Sequence, residues 1–222
     1  MSELKVIEIK QSVFADNNRE ADRVRAELKK EHTFLLNLMS SPGSGKTTTL
    51  KATIARLKDK LRIVVMEADI DSDVDARTIA ETGVKSIQLH TGGMCHLDAG
   101  MTEQGLKELG TAGLDLAILE NVGNLVCPAE FDTGAVKNVA ILSVPEGHDK
   151  PLKYPLMFEV CQALIINKID VMPNFDFDMD KVREFALKRN PNIEIFPISA
   201  KTGEGVDAWC SWLEAQVRAW NA

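Results

Sequence analysis

From residue 33 onward, short apolar runs recur along the chain: TFLLNLM (33–39), RIVVME (62–67), KSIQLH (85–90), LDLAILE (114–120), KNVAILSV (137–144), ALIIN (163–167) and IEIFPI (193–198). Most lack the strict alternation of a strand with one wet face, so they read as strands covered on both sides by helices, as in a parallel sheet. Segments 46–58, 102–110, 179–189 and 205–219 lie between them and are long enough for helical crossovers. The expected fold is α/β and doubly wound, with a mostly parallel sheet of seven strands. Ahead of it, DNNREADRVRAELKKE (16–31) is charged, with Val24 and Leu28 four apart, and predicts a mostly solvated helix. The expected organisation is an N-terminal helical extension over 1–32 and one domain over 33–222.

Composition narrows the possibilities. The 222 residues are 45% hydrophobic, enough for a globular core. Lys and Arg number 26 against 33 Asp and Glu, a net charge of −7 that argues against a nucleic-acid partner. No apolar run approaches the ~20 residues of a spanning helix, so no membrane partner is expected. The start MSELKVIEIKQ lacks a signal-peptide core, and the expected compartment is the cytoplasm. In that compartment the four cysteines read as thiols or ligands, not as a disulfide framework.

Directly after the first predicted strand comes SSPGSGKTTT (40–49), whose GSGKT fills the second half of the phosphate-loop pattern GxxxxGK(S/T). Ser40 stands where the general pattern has its first glycine. Gly43 and Gly45 are free to adopt the positive φ that turns successive N–H groups inward, with Ser44 between them. The following helix adds its N-terminal donors, including those of Thr47 and Thr48. Lys46 is expected to reach the β- and γ-phosphates, and the Thr47 hydroxyl to ligate Mg²⁺.

Two later segments choose the base. Strand ALII runs into Asn167-Lys168-Ile169-Asp170, the NKxD pattern in which the aspartate accepts from the guanine ring N–H and exocyclic amine. Adenine lacks that amine and would leave the carboxylate unpaired. Lys168 would lay its methylene stem over the ring. After IEIFPI stands Ser199-Ala200-Lys201, like the SAK loop whose alanine N–H contacts the guanine carbonyl. The expected ligand is GTP or GDP.

A γ-phosphate sensor is expected in Glu120-Asn121-Val122-Gly123, after LDLAIL. Glu120 supplies an oxygen for Mg²⁺ or for water, and Gly123 a backbone N–H. In the acidic stretch EADIDSDVDAR (67–77), Asp69 and Asp75 are candidates for magnesium or for orienting the attacking water, beside the plainer reading of a solvated acidic loop. Lys46, Glu120 and Asp75 are the expected catalytic groups. Asn124, not glutamine, follows Gly123, which predicts slow unaided turnover.

One further constellation lies outside this machinery. TGGMCHLDAG (91–100) sets Cys95 beside His96, and Cys127 follows Gly123 by four residues, at most ~14 Å of chain. Two thiols and an imidazole suit Zn²⁺ or Ni²⁺ rather than Mg²⁺. The same residues also fit half-buried loop positions, since adjacent Cys-His is no fingerprint comparable with paired CxxC. Three ligands leave a site incomplete, to be finished by water or by a second subunit. Asp98 is placed to support His96, beside the equally open reading of an exposed aspartate. Cys161 and Cys210 read as core residues, and His32, His90 and His148 have no evident partner.

Together SSPGSGKTT, TGGMCHLDAG, LENVGNLVCP, EGHDKPLKYP and NKID closely resemble the HypB family of GTPases, over about residues 30–205, with CHLDA and ENVGNLVCP specific to it. The resemblance implies a P-loop GTPase fold and a nickel or zinc site built by Cys95, His96 and Cys127. It further implies a nucleotide-responsive homodimer, nickel insertion during maturation of nickel–iron hydrogenase, and hydrogenase maturation proteins as partners. Lys150 and Lys153 match the family's DKPLKYP segment. Residues 1–30 hold no Cys or His, so the N-terminal nickel-storing motifs of some members are not expected. The alternatives are a urease-accessory GTPase, a chaperone of cobalamin-dependent enzymes, a kinase or ligase on the same scaffold, or a regulatory nucleotide switch.

Overall fold

A computed structural model describes residues 9–69 and 78–222, with side chains over 13–68 and 78–222. Seven strands, β1 (Phe34–Ser40), β2 (Ile63–Asp69), β3 (Lys85–His90), β4 (Leu116–Glu120), β5 (Lys137–Ser143), β6 (Ala163–Asn167) and β7 (Glu194–Pro197), form one sheet in the order β3-β2-β4-β1-β5-β6-β7. Every pairing is parallel. Each strand coincides with an apolar run of the sequence to within two or three residues. The helices that lie wholly within the described residues include α1 (Ile9–Lys30), α2 (Lys46–Leu57), α3 (Ala99–Leu109), α4 (Cys127–Glu130), α5 (Lys150–Lys153), α6 (Pro155–Val160), α7 (Met179–Arg189) and α8 (Val206–Asn221).

Strand β1 is central and fully buried, and its alternating residues feed different layers. Phe34, Leu36 and Leu38 pack with Leu50, Ile54 and Leu57 of α2 and with Trp209, Leu213 and Val217 of α8. Leu35 packs with Val24 and Leu28 of α1 and with Leu106 and Leu109 of α3, while Met39 joins Phe158 of α6 and Val182 of α7. Helices therefore cover both faces, which is why these strands read as apolar without alternation. Strand β1 lies between β4 and β5, with β2 and β3 beyond the one and β6 and β7 beyond the other. The carboxyl ends of β1, β4, β5 and β6 then share one edge of the sheet at the point where the order reverses.

Helix α1 departs from the expected solvated helix. Asn17, Ala21, Val24 and Leu28 recur every three or four residues, and all are buried. They form a narrow stripe that Val24 and Leu28 alone only half revealed. Burying those two contributes about 1.5–3 kcal/mol each. Arg23 bonds Glu103 of α3 at 2.8 Å, and Arg25 bonds Asp132 at 2.6 Å. Such half-exposed pairs add little stability but fix the direction of the helix.

Candidate functional site

The phosphate loop joins β1 to α2. Gly43 and Gly45 both carry positive φ, 74° and 93°, as the inward-turned N–H groups require. A side chain at Gly45 would also meet Asn167 Nδ2 at 2.5 Å, so this glycine serves both its own turn and a close approach. Ser40 explains its place in the pattern. Its buried Oγ accepts from Lys46 Nζ at 3.1 Å and from Ser44 Oγ at 2.7 Å, and donates to the Ser41 carbonyl. Ser41 donates in turn to Glu146, whose other oxygen accepts from the Ser143 N–H and hydroxyl. Glu146 lies in the EGHDKP segment, so that segment buttresses the phosphate loop. Lys46, Thr47, Thr48, Glu120 and Gly123 all face one cavity of 620 Å³.

At its inner wall the Thr47 hydroxyl donates to Glu120 Oε1 at 3.3 Å. This pairs a hydroxyl and a buried carboxylate, the oxygen set that Mg²⁺ takes beside nucleotide phosphates. Behind them runs a buried relay of amides. Asn121 donates to Asn37 Oδ1 at 3.1 Å, Asn37 donates to Asn138 Oδ1 at 3.0 Å, and the Asn121 oxygen accepts the Val122 N–H. Asn37 and Asn138 escaped the sequence reading because an asparagine in an apolar strand carries no motif. Gly123 lies against Pro42 of the phosphate loop, where a Cβ would meet the proline at 3.2 Å. Asn124 accepts from the Val126 N–H at 2.8 Å and so shapes the turn leading to Cys127. Asp69 closes β2, in register with His90 of β3. Asp75 lies outside the described residues.

A second pocket adjoins the first cavity, sharing Gly45, Thr48 and Lys168 with it, and encloses 310 Å³. Asn167 organises it. Its Nδ2 donates to the Ser44 carbonyl at 3.0 Å, and its Oδ1 accepts the Ala200 N–H at 3.1 Å. Lys168 takes a left-handed backbone, φ 64°, and donates to the Gly43 carbonyl at 2.6 Å. Asp170 is exposed on the 3₁₀ turn Ile169–Asn174, and Ala200 and Lys201 line the opposite wall. Ser199 is buried and its hydroxyl accepts the Thr202 N–H, which holds the SAK loop.

Cys95 and His96 lie on the segment after β3, and Cys127 lies four residues beyond Gly123 of the first cavity. Cys95 Sγ lies 3.9 Å from His96 Nδ1. Cys127 opens α4, and its interaction with Cys95 together with burial pushes its thiol pKa up. Burial lowers the His96 pKa, against the opposing pull of Asp98 and Glu130, and so favours the neutral ring a metal needs. Among the described residues, no three Cys, His, Asp or Glu side chains enclose a metal position within one chain. Asp98 is engaged otherwise than the sequence led one to expect: it caps α3 by accepting the Met101 N–H at 2.9 Å. His96 instead stacks on Phe131, with ring centroids 3.8 Å apart. Cys161 and Cys210 are core residues, as read from the sequence, and burial raises the Cys210 pKa to about 11.

A glycine-rich phosphate cradle, a threonine–glutamate pair and an NKxD–SAK base pocket on a parallel sheet define a nucleotide-binding domain of the P-loop GTPase class. The family described as CobW/HypB/UreG, nucleotide-binding domain, matches residues 34–197. The hydrogenase maturation factor HypB of Escherichia coli (strain K12) is 47% identical over 216 residues, covering 97% of this chain and 74% of that protein. The crystal structure of HypB from Helicobacter pylori in complex with nickel superposes with a TM-score of 0.86 at 40% identity, over 92% of this chain and 96% of that one. HypB from Archaeoglobus fulgidus gives 0.85 at 35% identity, over 91% and 99%. The chain belongs to the HypB family.

Proposed function

We propose that this protein is a GTP-hydrolysing nickel chaperone that assists nickel insertion into nickel–iron hydrogenase, working in the cytoplasm with other hydrogenase maturation proteins. The observation that carries this reading is the shared segment 120–127. Gly123 rests on the phosphate loop, and four residues later Cys127 lies near enough to Cys95 to interact with it. A movement at the γ-phosphate therefore shifts one metal ligand relative to the other two, and by linkage metal must alter nucleotide affinity. Lys46 and the loop N–H groups bind and neutralise the phosphates. Thr47 and Glu120 would hold the Mg²⁺ that offsets charge developing on them, with Asp69 and Asp75 the remaining candidates for magnesium or water. Asp170, Asn167, Lys168 and Ala200 select guanine.

Nickel is cargo here, and zinc is the competing occupant, because both accept thiolate and imidazole. Three ligands leave a site incomplete, and the missing ones would come from outside one chain. Met94 and Val126, 37% and 49% exposed, flank the two thiols with apolar surface. A two-fold homodimer would bring two such sites together and cover them. With Asn124 bound into its own turn, no glutamine orients water, so turnover of the purified chain is expected below ~1 per second, near the ~10⁻⁴–10⁻² per second of unaided GTPases. A phosphate-release assay giving tens per second refutes that mechanism.

The metal reading is tested by titrating Ni²⁺ and Zn²⁺ while measuring molecular mass, with a GTP analogue and with GDP. Cys95→Ala and Cys127→Ala should each weaken nickel binding more than tenfold, about 1.4 kcal/mol. The analogue should favour the dimer. Wild-type nickel affinity in both variants would remove the site from this loop.

A further inference from the structure

Helix α1 has no part in nucleotide binding, yet it touches both segments that carry the thiols and the imidazole. Asn17 is 8% exposed and uses both ends of its amide. Its Oδ1 accepts the Ala99 N–H at 3.0 Å, three residues beyond His96, and its Nδ2 donates to the Asp132 carbonyl at 3.0 Å, five residues beyond Cys127. The Ala99 N–H belongs to the first turn of α3 and has no partner within that helix, so Asn17 supplies one from outside. Asp132 is gripped a second time by Arg25.

The helix approaches both segments through glycines. A Cβ at Gly134 would meet Val24 at 2.8 Å, and one at Gly100 would lie 3.3 Å from Glu20. Beside Asn17, one turn earlier on α1, the Phe14 ring lies 5.0 Å from Phe131, which itself stacks on His96 at an interplanar angle of 15°. A column of three rings thus runs from α1 to the imidazole.

We propose that α1 is the positioning element of the thiol–imidazole site. Asn17 locks the His96 segment to the Cys127 segment, and Phe14 fixes the plane of His96 through Phe131. This rests on the reading of Cys95, His96 and Cys127 as metal ligands. Neither Asn17 nor Phe14 touches the metal; both set the separation and orientation of groups that do. Partners of this kind typically change metal affinity 10–100-fold when lost.

The test uses the full chain, nucleotide-free, with Ni²⁺ alone as the probe. Affinity is measured by competition with a chromophoric chelator, and ligation by the thiolate-to-nickel absorption band. Asn17→Ala and Phe14→Ala should each weaken nickel binding about 10–100-fold and reduce the band at fixed nickel. Phe14→Tyr, which keeps the ring, should restore both. GTP hydrolysis without nickel should stay at the wild-type rate. A merely structural role would lower the thermal midpoint while leaving affinity and absorption of the folded chain intact. If Asn17→Ala does not fold, the half-buried Phe14 carries the test alone. Wild-type nickel affinity in the folded Asn17 and Phe14 variants, with Cys95→Ala deficient, overturns the positioning role. Wild-type affinity in Cys95→Ala overturns the metal reading beneath it.

Discussion

Asp170→Asn should yield a chain that prefers xanthosine triphosphate to GTP. The carboxylate accepts from two guanine N–H groups, whereas an amide presents an NH₂ in place of one acceptor and opposes the guanine amine. Xanthine carries a carbonyl at that position, and there the amide donates. Two charge-assisted bonds are worth about 3–6 kcal/mol, so GTP affinity should fall roughly 10²–10⁴-fold. The substitution is isosteric and exposed, on a turn anchored independently by the Ile169 N–H to the Ile198 carbonyl at 3.2 Å. The fold therefore has no reason to change. Competition binding with the two nucleotides measures the switch, and a variant keeping full guanine preference would refute the assigned base pocket.

Lys46→Ala acts at the other end of the same ligand. The ammonium reaches only Ser40 Oγ among the contacts described, so removing it costs the folded chain little. It costs the complex charge-assisted bonds to the β- and γ-phosphates, again about 3–6 kcal/mol and roughly 10²–10⁴-fold in affinity. Hydrolysis should fall to background, while the thermal midpoint without nucleotide stays near the wild-type value. Guanosine, which carries no phosphate, should bind both forms alike. A Lys46→Ala chain that hydrolyses GTP at the wild-type rate would exclude this lysine from the mechanism.

The sheet was legible because its inner strands, buried on both faces, are apolar at most positions, and each such run became a strand; the edge strands β3 and β7 are only partly covered. The phosphate and base loops were legible because their chemistry demands particular residues at fixed spacing after strands. What stayed hidden depends on contacts between distant residues. Asn17 meets Asp132 across 115 positions, and nothing in a polar helix announces which asparagine is buried. Ser40 was visible only as a missing glycine until its hydroxyl was found accepting from Lys46. Asp98, beside His96 in sequence, caps the N-terminus of α3 and acts on the imidazole through its charge, while Phe131, distant in sequence, supplied the ring against it. Cys95 and Cys127 stood 32 residues apart in sequence, and only the adjacency of their loops at one edge of the sheet brought the thiols together.

The Asn167 amide has a consequence for how the ligand's two halves bind. Because it spans the phosphate loop and the SAK loop, stiffening either loop restricts the other before anything enters there. The half of the ligand that arrives first meets the full ordering cost, and the second half meets a pocket already narrowed to its bound shape. Base and phosphates are thus expected to cooperate through protein entropy as well as through the covalent bond that joins them. A release device need only loosen that single side chain to weaken its hold on the whole nucleotide.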